Sequence, residues 1–224
     1  MRPFFVSDYL LTFTGQIKLI MKLNLKLCAA LIAGLLISIN SFSQARLAIG
    51  GISSDNYLSS FNLTEKLESD YGAYIGILGD LRLGANSKMY LETGALYGYV
   101  GLEKKTASEE IHTINVPLRL KYKTPVTEEG DFFFFGGARA QYGISARMKE
   151  KNLSWSMYDE AFPYGCLNRM DVKVGFGCGI AVSMLEIRLG YEWGLMDQTT
   201  DDVIHLKVNQ FFVGEHTALE NHPC

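Results

Sequence analysis

The sequence contains few cysteines and prolines and no cluster of basic charge. Of its 224 residues, 4 are cysteine and 5 are proline. Cys166, Cys178 and Cys224 remain once Cys28 is assigned to the apolar run described below. An odd number of cysteines at such wide spacings indicates neither a disulfide framework nor a zinc site. The 21 basic and 24 acidic residues give a net charge of -3, so we expect no nucleic-acid partner.

One long apolar run is present, over residues 25–39. Lys22 and Lys26 place positive charge at its start, and residues 41–45 (Ser-Phe-Ser-Gln-Ala) form a small-residue cleavage site after it. This order predicts a cleaved secretory signal peptide over residues 21–45. The alternative is an uncleaved membrane anchor, but the apolar core is shorter than the ~20 residues that a helical span requires.

The rest of the chain divides simply. Residues 1–20 have no role in this arrangement, so we expect Met21 to be the true start and the upstream segment to be a spurious extension. The mature chain then forms one domain over residues 46–214, followed by a C-terminal tail over residues 215–224. Its length lies in the usual range for a single domain.

Residues 170–193 alternate between apolar side chains and side chains that are charged or very small, with only Ser183 and Met184 between two such runs. A period of two residues predicts β-strands, whose side chains point alternately to opposite faces. The second face combines charges with glycines, as expected for the narrow polar lumen of a small transmembrane barrel. An amphipathic hairpin alone also fits a soluble barrel, so the remaining strands decide between the two.

Eight segments carry this alternating pattern. They are residues 46–52, 70–83, 89–102, 111–123, 132–148, 170–182, 185–193 and 203–214. Several exceed ten residues, which is long for globular strands and suits tilted strands that cross a bilayer. Longer loops alternate with short turns, as in an up-and-down barrel with both termini in the periplasm. The sequence therefore predicts an all-β fold, an eight-stranded antiparallel up-and-down transmembrane β-barrel.

The face opposite the apolar stripes carries charges of both signs. We predict that ten of them form a structural charge network in the lumen: Arg82, Glu92, Arg119, Lys121, Arg139, Asp171, Lys173, Glu186, Arg188 and Glu192. Arg147 and Lys207 fall on the same face by the same pattern, and in the last strand Ile204, Leu206, Val208 and Phe212 are then expected to face outward. Eight strands enclose an interior that side chains can fill. Because an unpaired buried charge costs several kcal/mol, we favour a salt-bridged plug over an ion-conducting lumen.

Histidines beside acidic residues are the candidates for catalysis. His112 follows residues 108–110 (Ser-Glu-Glu), and His205 lies close to residues 201–202 (Asp-Asp). Neither set has a recognisable spacing of nucleophile and base, so we expect no enzyme activity and no cofactor. Asp197 with residues 201–202 is weak as a divalent-cation site, and we expect no metal.

The connection over residues 149–168 is the best candidate for a contact surface. Its apolar anchors are Trp155, Tyr158, Phe162 and Tyr164. Such residues among polar neighbours suit protein or ligand contact, although a partly folded cap over the barrel mouth fits equally well. We therefore expect a monomeric, non-enzymatic outer-membrane barrel with a structural or interaction role through its extracellular loops. The alternatives are a narrow porin for ions or small solutes and a soluble exported barrel that binds a lipophilic ligand.

The chain resembles the PorT-like outer-membrane β-barrel family of small porin-like proteins. The matching segments are residues 41–45, residues 114–122 (Ile-Asn-Val-Pro-Leu-Arg-Leu-Lys-Tyr), and residues 171–179 followed by residues 189–195. The resemblance implies location in the outer membrane of a Gram-negative bacterium, with lipid as a partner, and assigns no activity. Barrels of this kind usually end in an aromatic residue. Here residues 215–224 resemble no strand, so either Phe212 closes the barrel before a short tail, or a frameshift has replaced the C-terminus.

Overall fold

The structure is a computed structural model that describes most of the chain after residue 43. The described residues are 44–60, 63–66, 69–103, 107–128, 130–150, 153–159, 167–199 and 204–218. The predicted N-terminal extension and nearly all of the predicted signal peptide lie outside them. No helix of this described part is long and apolar enough to cross a membrane.

Ten β-strands make up the described fold. They are β1 (Gln44–Ser60), β2 (Leu63–Lys66), β3 (Asp70–Arg82), β4 (Met89–Glu103), β5 (Ala107–Pro125), β6 (Gly130–Glu150), β7 (Leu153–Ser156), β8 (Met170–Val182), β9 (Leu185–Gly194) and β10 (Ile204–Ala218). The strands form because apolar side chains recur at every second position, which suits a pleated backbone with two different faces.

Eight of these strands close into a barrel. β1, β3, β4, β5, β6, β8, β9 and β10 pair in that order, each antiparallel to the next, and β10 also pairs with β1. The closing seam runs from Arg46 opposite Ala218 to Ser60 opposite Ile204. β2 extends the sheet beside β1, and β7 does so beside β6. The predicted eight-stranded antiparallel barrel is confirmed.

The two ends of the barrel differ. The turns after β3, β5 and β8 lie at the same end as the described termini, and we call this the turn end. The connections after β1, β4, β6 and β9 lie at the opposite end, the loop end. β5 and β6 are the longest strands, with 19 and 21 residues. At the loop end their pairing continues beyond the last pair of β6 with β8, Tyr142 opposite Met170.

Apolar side chains cover the outside of the barrel. Those that are about half exposed or more include Ile77, Leu118, Phe134, Phe176, Ile187 and Leu189. The positions between them point into the lumen and are largely charged or small. A monomeric soluble protein rarely exposes so continuous an apolar surface to water. This surface therefore suits contact with lipid hydrocarbon.

The assignment of faces in the last strand was wrong. Val208 and Phe212 are buried in the lumen, whereas Phe211 and Val213 are exposed on the outside together with Lys207. Two adjacent phenylalanines satisfy either phase of the alternation, so the sequence pattern there is ambiguous. Pairing decides the phase, because Phe212 lies opposite Gly190 on β9, an inward position where the absence of a side chain leaves room for the ring.

β10 also continues beyond the predicted end at Gly214. Residues 215–218 pair with β1 and, as far as Thr217, with β9, and His216 is fully buried in the lumen. The prediction that the tail begins at residue 215 was therefore wrong for these four residues. Polar residues at the end of a strand do not resemble a lipid-facing segment, so the sequence pattern gave no signal for this extension.

A β-bulge explains a further difference. The pairing of β5 with β6 shifts between His112 and Thr113, which places one extra residue, Ile144, on β6. A bulge reverses the phase of the side chains that follow it. Ala146 consequently points inward and Arg147 is exposed on the outside, contrary to the inward position that strict alternation predicts.

Candidate functional site

The lumen contains a dense set of buried charges. Of the described residues, six buried side chains are basic and six are acidic: Arg46, Arg119, Lys121, Arg139, Lys173 and Arg188, with Asp70, Asp80, Glu92, Asp171, Glu186 and Glu192. Nine of the ten residues predicted for the charge network are among these twelve. The numbers of opposite charges are equal, so the buried set has no net charge.

Glu92 lies at the centre of this network. Its carboxylate accepts two hydrogen bonds from the guanidinium of Arg188, at 2.8 Å each. Lys121 Nζ lies 2.9 Å from Glu92 Oε2, and Arg119 Nη1 lies 3.3 Å from Glu92 Oε1. One carboxylate is thus surrounded by three cations, each held by a different position on the barrel wall.

A second group lies toward the loop end. Glu192 is paired with Arg119 at 2.6 Å and with Arg139 at 2.7 Å. Lys173 Nζ lies 2.6 Å from Asp171 Oδ2 and donates to the backbone carbonyl of Val208 at 2.9 Å. Arg119 contacts both Glu92 and Glu192, so it joins this group to the centre.

A third group lies at the turn end. Arg46 Nη1 is 2.9 Å from Asp80 and 2.6 Å from Glu186. Lys121 also reaches both carboxylates, at 3.0 Å and 3.2 Å, and Lys123 lies 3.0 Å from Glu186. The sequence reasoning missed Arg46 and Asp80 here, and Asp70 toward the loop end. Arg46 lies at the predicted edge of the first strand. Its alternation with the apolar residues Leu47 and Ile49, which are exposed on the outside, is the sequence signal that assigns it to the lumen.

Aromatic rings fill the space between the charges. The guanidinium of Arg119 lies 5.3 Å from the ring centre of Phe135 and 5.1 Å from that of Phe212. Phe133 is fully buried, with Lys121 Nζ 5.1 Å from its ring centre. These distances suit cation–π attraction. Rings and ion pairs together pack this part of the lumen.

Arg82 does not join the network. It is exposed, and its Nε donates to the backbone carbonyl of Ser87 at 3.0 Å. Its guanidinium lies 5.7 Å from the ring centre of Tyr90. Alternation aligns Arg82 with Asp80, but β3 ends at Arg82, where the barrel interior gives way to the rim of the turn end.

Trp155 and Tyr158 belong to a small apolar cap at the loop end. We call this group the cap. Its buried centre is Ala146 and Met157, and its partly buried members are Ile111, Met148, Trp155, Tyr158 and Leu167. Phe162 and Tyr164, the other predicted contact residues, lie outside the described residues.

Tyr158 fixes the cap to the barrel wall. Its hydroxyl lies so close to Gly143 on β6 that a Cβ added there would be 1.7 Å away. The guanidinium of Arg169 lies 4.3 Å from the Tyr158 ring centre and donates to the Gly143 carbonyl at 3.3 Å. Burial raises the pKa of the Tyr158 hydroxyl. Tyr158 is thus a packed anchor more than an exposed contact.

The two histidines singled out in the sequence have structural partners. His112 Nδ1 lies 2.5 Å from the Tyr97 hydroxyl, and its ring centre is 5.2 Å from that of Tyr99. His205 Nδ1 forms a hydrogen bond with the carboxylate of Asp197. Asp201 and Asp202 lie outside the described residues.

Asp197 ties the loop after β9 to the start of β10. It accepts hydrogen bonds from the backbone N–H of Leu206 at 2.9 Å and of Thr199 at 3.0 Å. Burial by itself raises the pKa of Asp197, but these hydrogen bonds outweigh it and hold the pKa below its ordinary value.

The chain belongs to the family described as outer membrane protein beta-barrel domain, whose model matches residues 41–199. No curated protein sequence matches the chain. Among solved structures, Neisserial surface protein A is similar with a TM-score of 0.44 and 11% identity, covering 77% of this chain and 97% of that one.

Two further solved structures have similar values. Ail of Yersinia pestis, in complex with the heparin analogue sucrose octasulfate, has a TM-score of 0.43 and 12% identity, covering 79% of this chain and 99% of that one. The outer membrane enzyme PagL has a TM-score of 0.43 and 12% identity, covering 75% of this chain and 99% of its own. These similarities concern the barrel fold and assign no function to this chain.

Proposed function

We propose that the protein is a non-enzymatic component of the outer membrane of a Gram-negative bacterium, exported with a cleaved signal peptide and present there as a monomer. In this proposal it acts through its loop end, which faces the cell exterior, as a structural or interaction protein. The observation that supports the proposal is the contrast between the two parts of the barrel. The lumen is packed with ion pairs of equal positive and negative charge, whereas the loop end carries the apolar cap. The resemblance to the PorT-like family is consistent with it.

The packed lumen is the argument against a porin. A conducting path requires water and mobile ions along the axis, but here Glu92, Glu186 and Asp80 each contact several cations. Opening such a path would require these side chains to leave the positions in which their charges neutralise one another. The same charges oppose a lipophilic ligand in this part of the lumen, because apolar groups do not compensate a buried charge.

Site-specific photo-crosslinking in intact cells tests the interaction role. A photoreactive phenylalanine analogue at Trp155, in the cap, is compared with the same analogue at Met184, in the turn after β8. We expect discrete adducts from position 155 and none of the same mass from position 184. The proposal fails if position 155 gives no adduct in cells whose outer membrane contains the folded barrel.

A further inference from the structure

A cavity lies between the charge network and the cap. Its volume is about 140 Å³. Arg139, Asn115 and Gln210 line it on the side of the network, and Met157 and Leu167 line it on the side of the cap. Asn56 and Glu109, which are partly exposed, also line it, so the cavity extends toward the surface at the loop end.

Two buried polar atoms beside this cavity have no hydrogen-bond partner among the described residues. One is Oδ1 of Asn115, a residue that is 2% exposed, and the other is Nε of Arg139, which is 4% exposed. Asn115 Nδ2 donates to Thr113 Oγ1 at 2.9 Å, and Arg139 Nη2 pairs with Glu192 at 2.7 Å. Buried polar groups are nearly always satisfied in folded proteins. An acceptor and a donor are thus left for a ligand.

The charges around the cavity select an uncharged ligand. Arg139 is already paired with Glu192, while Asp70 and Glu109 add carboxylates to the wall. Asp70 accepts a hydrogen bond from Asn56 Nδ2 at 2.7 Å, and Glu109 also has a partner. The charged groups of the wall are therefore engaged by other groups of the protein, and a charged ligand of either sign would find no charge without a partner. A hydroxyl group satisfies both free atoms because it donates to a carbonyl oxygen and accepts from an N–H.

The aliphatic part of the wall distinguishes an organic ligand from water alone. Ile52, Val100, Ile111, Met157, Leu206 and Val208 all line the cavity. An ordered water needs two to four polar partners, which the polar side chains of the wall can supply but these aliphatic side chains cannot. A carbon skeleton that carries hydroxyl groups can contact the aliphatic wall and the two polar atoms at once. A cavity of roughly 150 Å³ accommodates a ligand of about six heavy atoms.

We propose that this cavity is a binding site for a small uncharged polyol of about the size of glycerol. The inference is independent of whether the cap binds a partner. It assigns Asn115 as the group that accepts a hydrogen bond from the ligand, Arg139 as the group that donates one, and the aliphatic side chains as the surface that contacts its carbon atoms.

The test is an NMR titration of the folded full-length barrel in detergent micelles with glycerol. The signals followed are the Arg139 Nε–H and the Asn115 side-chain amide. We expect both to shift and to saturate in the millimolar range that suits so small a ligand. 1-Pentanol, which has the same number of heavy atoms but one hydroxyl, should bind at least several-fold more weakly. Linear shifts that never saturate, or equal binding of the two probes, would overturn the proposal and indicate a water-filled cavity.

Two matched variants make the test specific to the cavity. Val100→Phe fills the cavity from β4, whereas Val116→Phe makes the same change on the outside of β5, where Val116 is 38% exposed. Saturable binding should be lost in the first and kept in the second. Asn115→Leu is the second variant, for use if Val100→Phe does not fold. It preserves the side-chain volume and removes the acceptor, so it should weaken glycerol binding at least tenfold. Binding that survives both cavity variants would contradict the proposal.

Discussion

Glu92 on β4 and Arg188 on β9 form a two-point ion pair across the lumen, with both N–O distances at 2.8 Å. β4 and β9 are four positions apart in the ring of eight strands, so the pair connects opposite walls. Because side chains from opposite walls meet, the lumen along this line is closed. The pair is therefore both a structural crosslink and the main obstacle to a channel.

Removing the cation from this pair should strongly destabilise the barrel. Arg188→Ala leaves the carboxylates of Glu92 and Glu186 buried with fewer partners. We expect the free energy of unfolding to fall by about 3–5 kcal/mol, the usual cost of breaking a buried ion pair. Urea unfolding in lipid vesicles, followed by tryptophan fluorescence, measures the change.

A double-mutant cycle identifies the contribution of the pair itself. Glu92→Leu combined with Arg188→Leu removes both charges, so it should cost less than the sum of the single substitutions, with a coupling energy of about 0.5–3 kcal/mol. Strict additivity of the two single effects would show that Glu92 and Arg188 do not interact. Glu110 and Lys149 form an exposed pair at 3.2 Å, and the equivalent cycle there should give at most about 1 kcal/mol.

A charge on the middle of the outer surface should also destabilise the barrel. Leu118 is the central member of five alternating apolar positions on β5, from Ile114 to Tyr122, and it is 56% exposed. Leu118→Arg should cost about 2–4 kcal/mol, and Val126→Arg, in the turn after β5, about 0–1 kcal/mol. Urea unfolding in vesicles compares them. Equal costs for the two variants would mean that residue 118 does not face the membrane interior.

Adding a methyl group at Gly143 should detach the cap without unfolding the barrel. The new Cβ would overlap the Tyr158 hydroxyl, so Gly143→Ala must displace that side chain. Gly136→Ala on the same strand is the control, because its Cβ would meet the nearest atom at an ordinary 3.6 Å. We expect faster proteolysis within the segment between β7 and β8 in Gly143→Ala alone. Equal cleavage rates in the two variants would contradict the anchoring role of Tyr158.

The Asp197 contact should make one loop sensitive to acid. Because the pKa of Asp197 in the folded state lies below its unfolded value, its contribution to stability is complete above the unfolded pKa. That contribution is lost as the pH falls through the folded-state pKa. Amide hydrogen exchange at Thr199 and Leu206, corrected for intrinsic rates, should therefore lose protection below about pH 4. In Asp197→Ala, protection should already be low at neutral pH, and wild-type protection that does not change with pH would refute the contact.

The sequence pattern predicts the bounds and faces of a strand well where only one phase of alternation is possible. The predicted bounds of β8 agree with the observed ones, and β9 differs by one residue, because charges and glycines mark one face of this hairpin without ambiguity. β10 is different, since Phe211 and Phe212 fit either face. The bulge opposite His112 could not be predicted, because alternation carries no signal for an inserted residue.

The charge network is predictable in composition but not in detail. Alternation identifies which charges point inward, whereas the partner of each depends on which walls face one another in the closed barrel. Arg188 pairs with Glu92 across 96 residues of sequence, and nothing local indicates this. The cavity between the charge network and the cap could not be predicted from the sequence for the same reason. Its lining residues come from strands that meet only when the barrel closes.

The most direct test of the account is a single-channel recording in planar lipid bilayers. The sample is purified protein whose folded state is established by a heat-modifiable band on gels, and a known porin verifies the bilayers. We predict no conductance steps above the baseline, because ion pairs and aromatic rings fill the lumen around Glu92 and Arg188. Reproducible steps from the same folded sample would contradict the plugged barrel and favour the narrow porin.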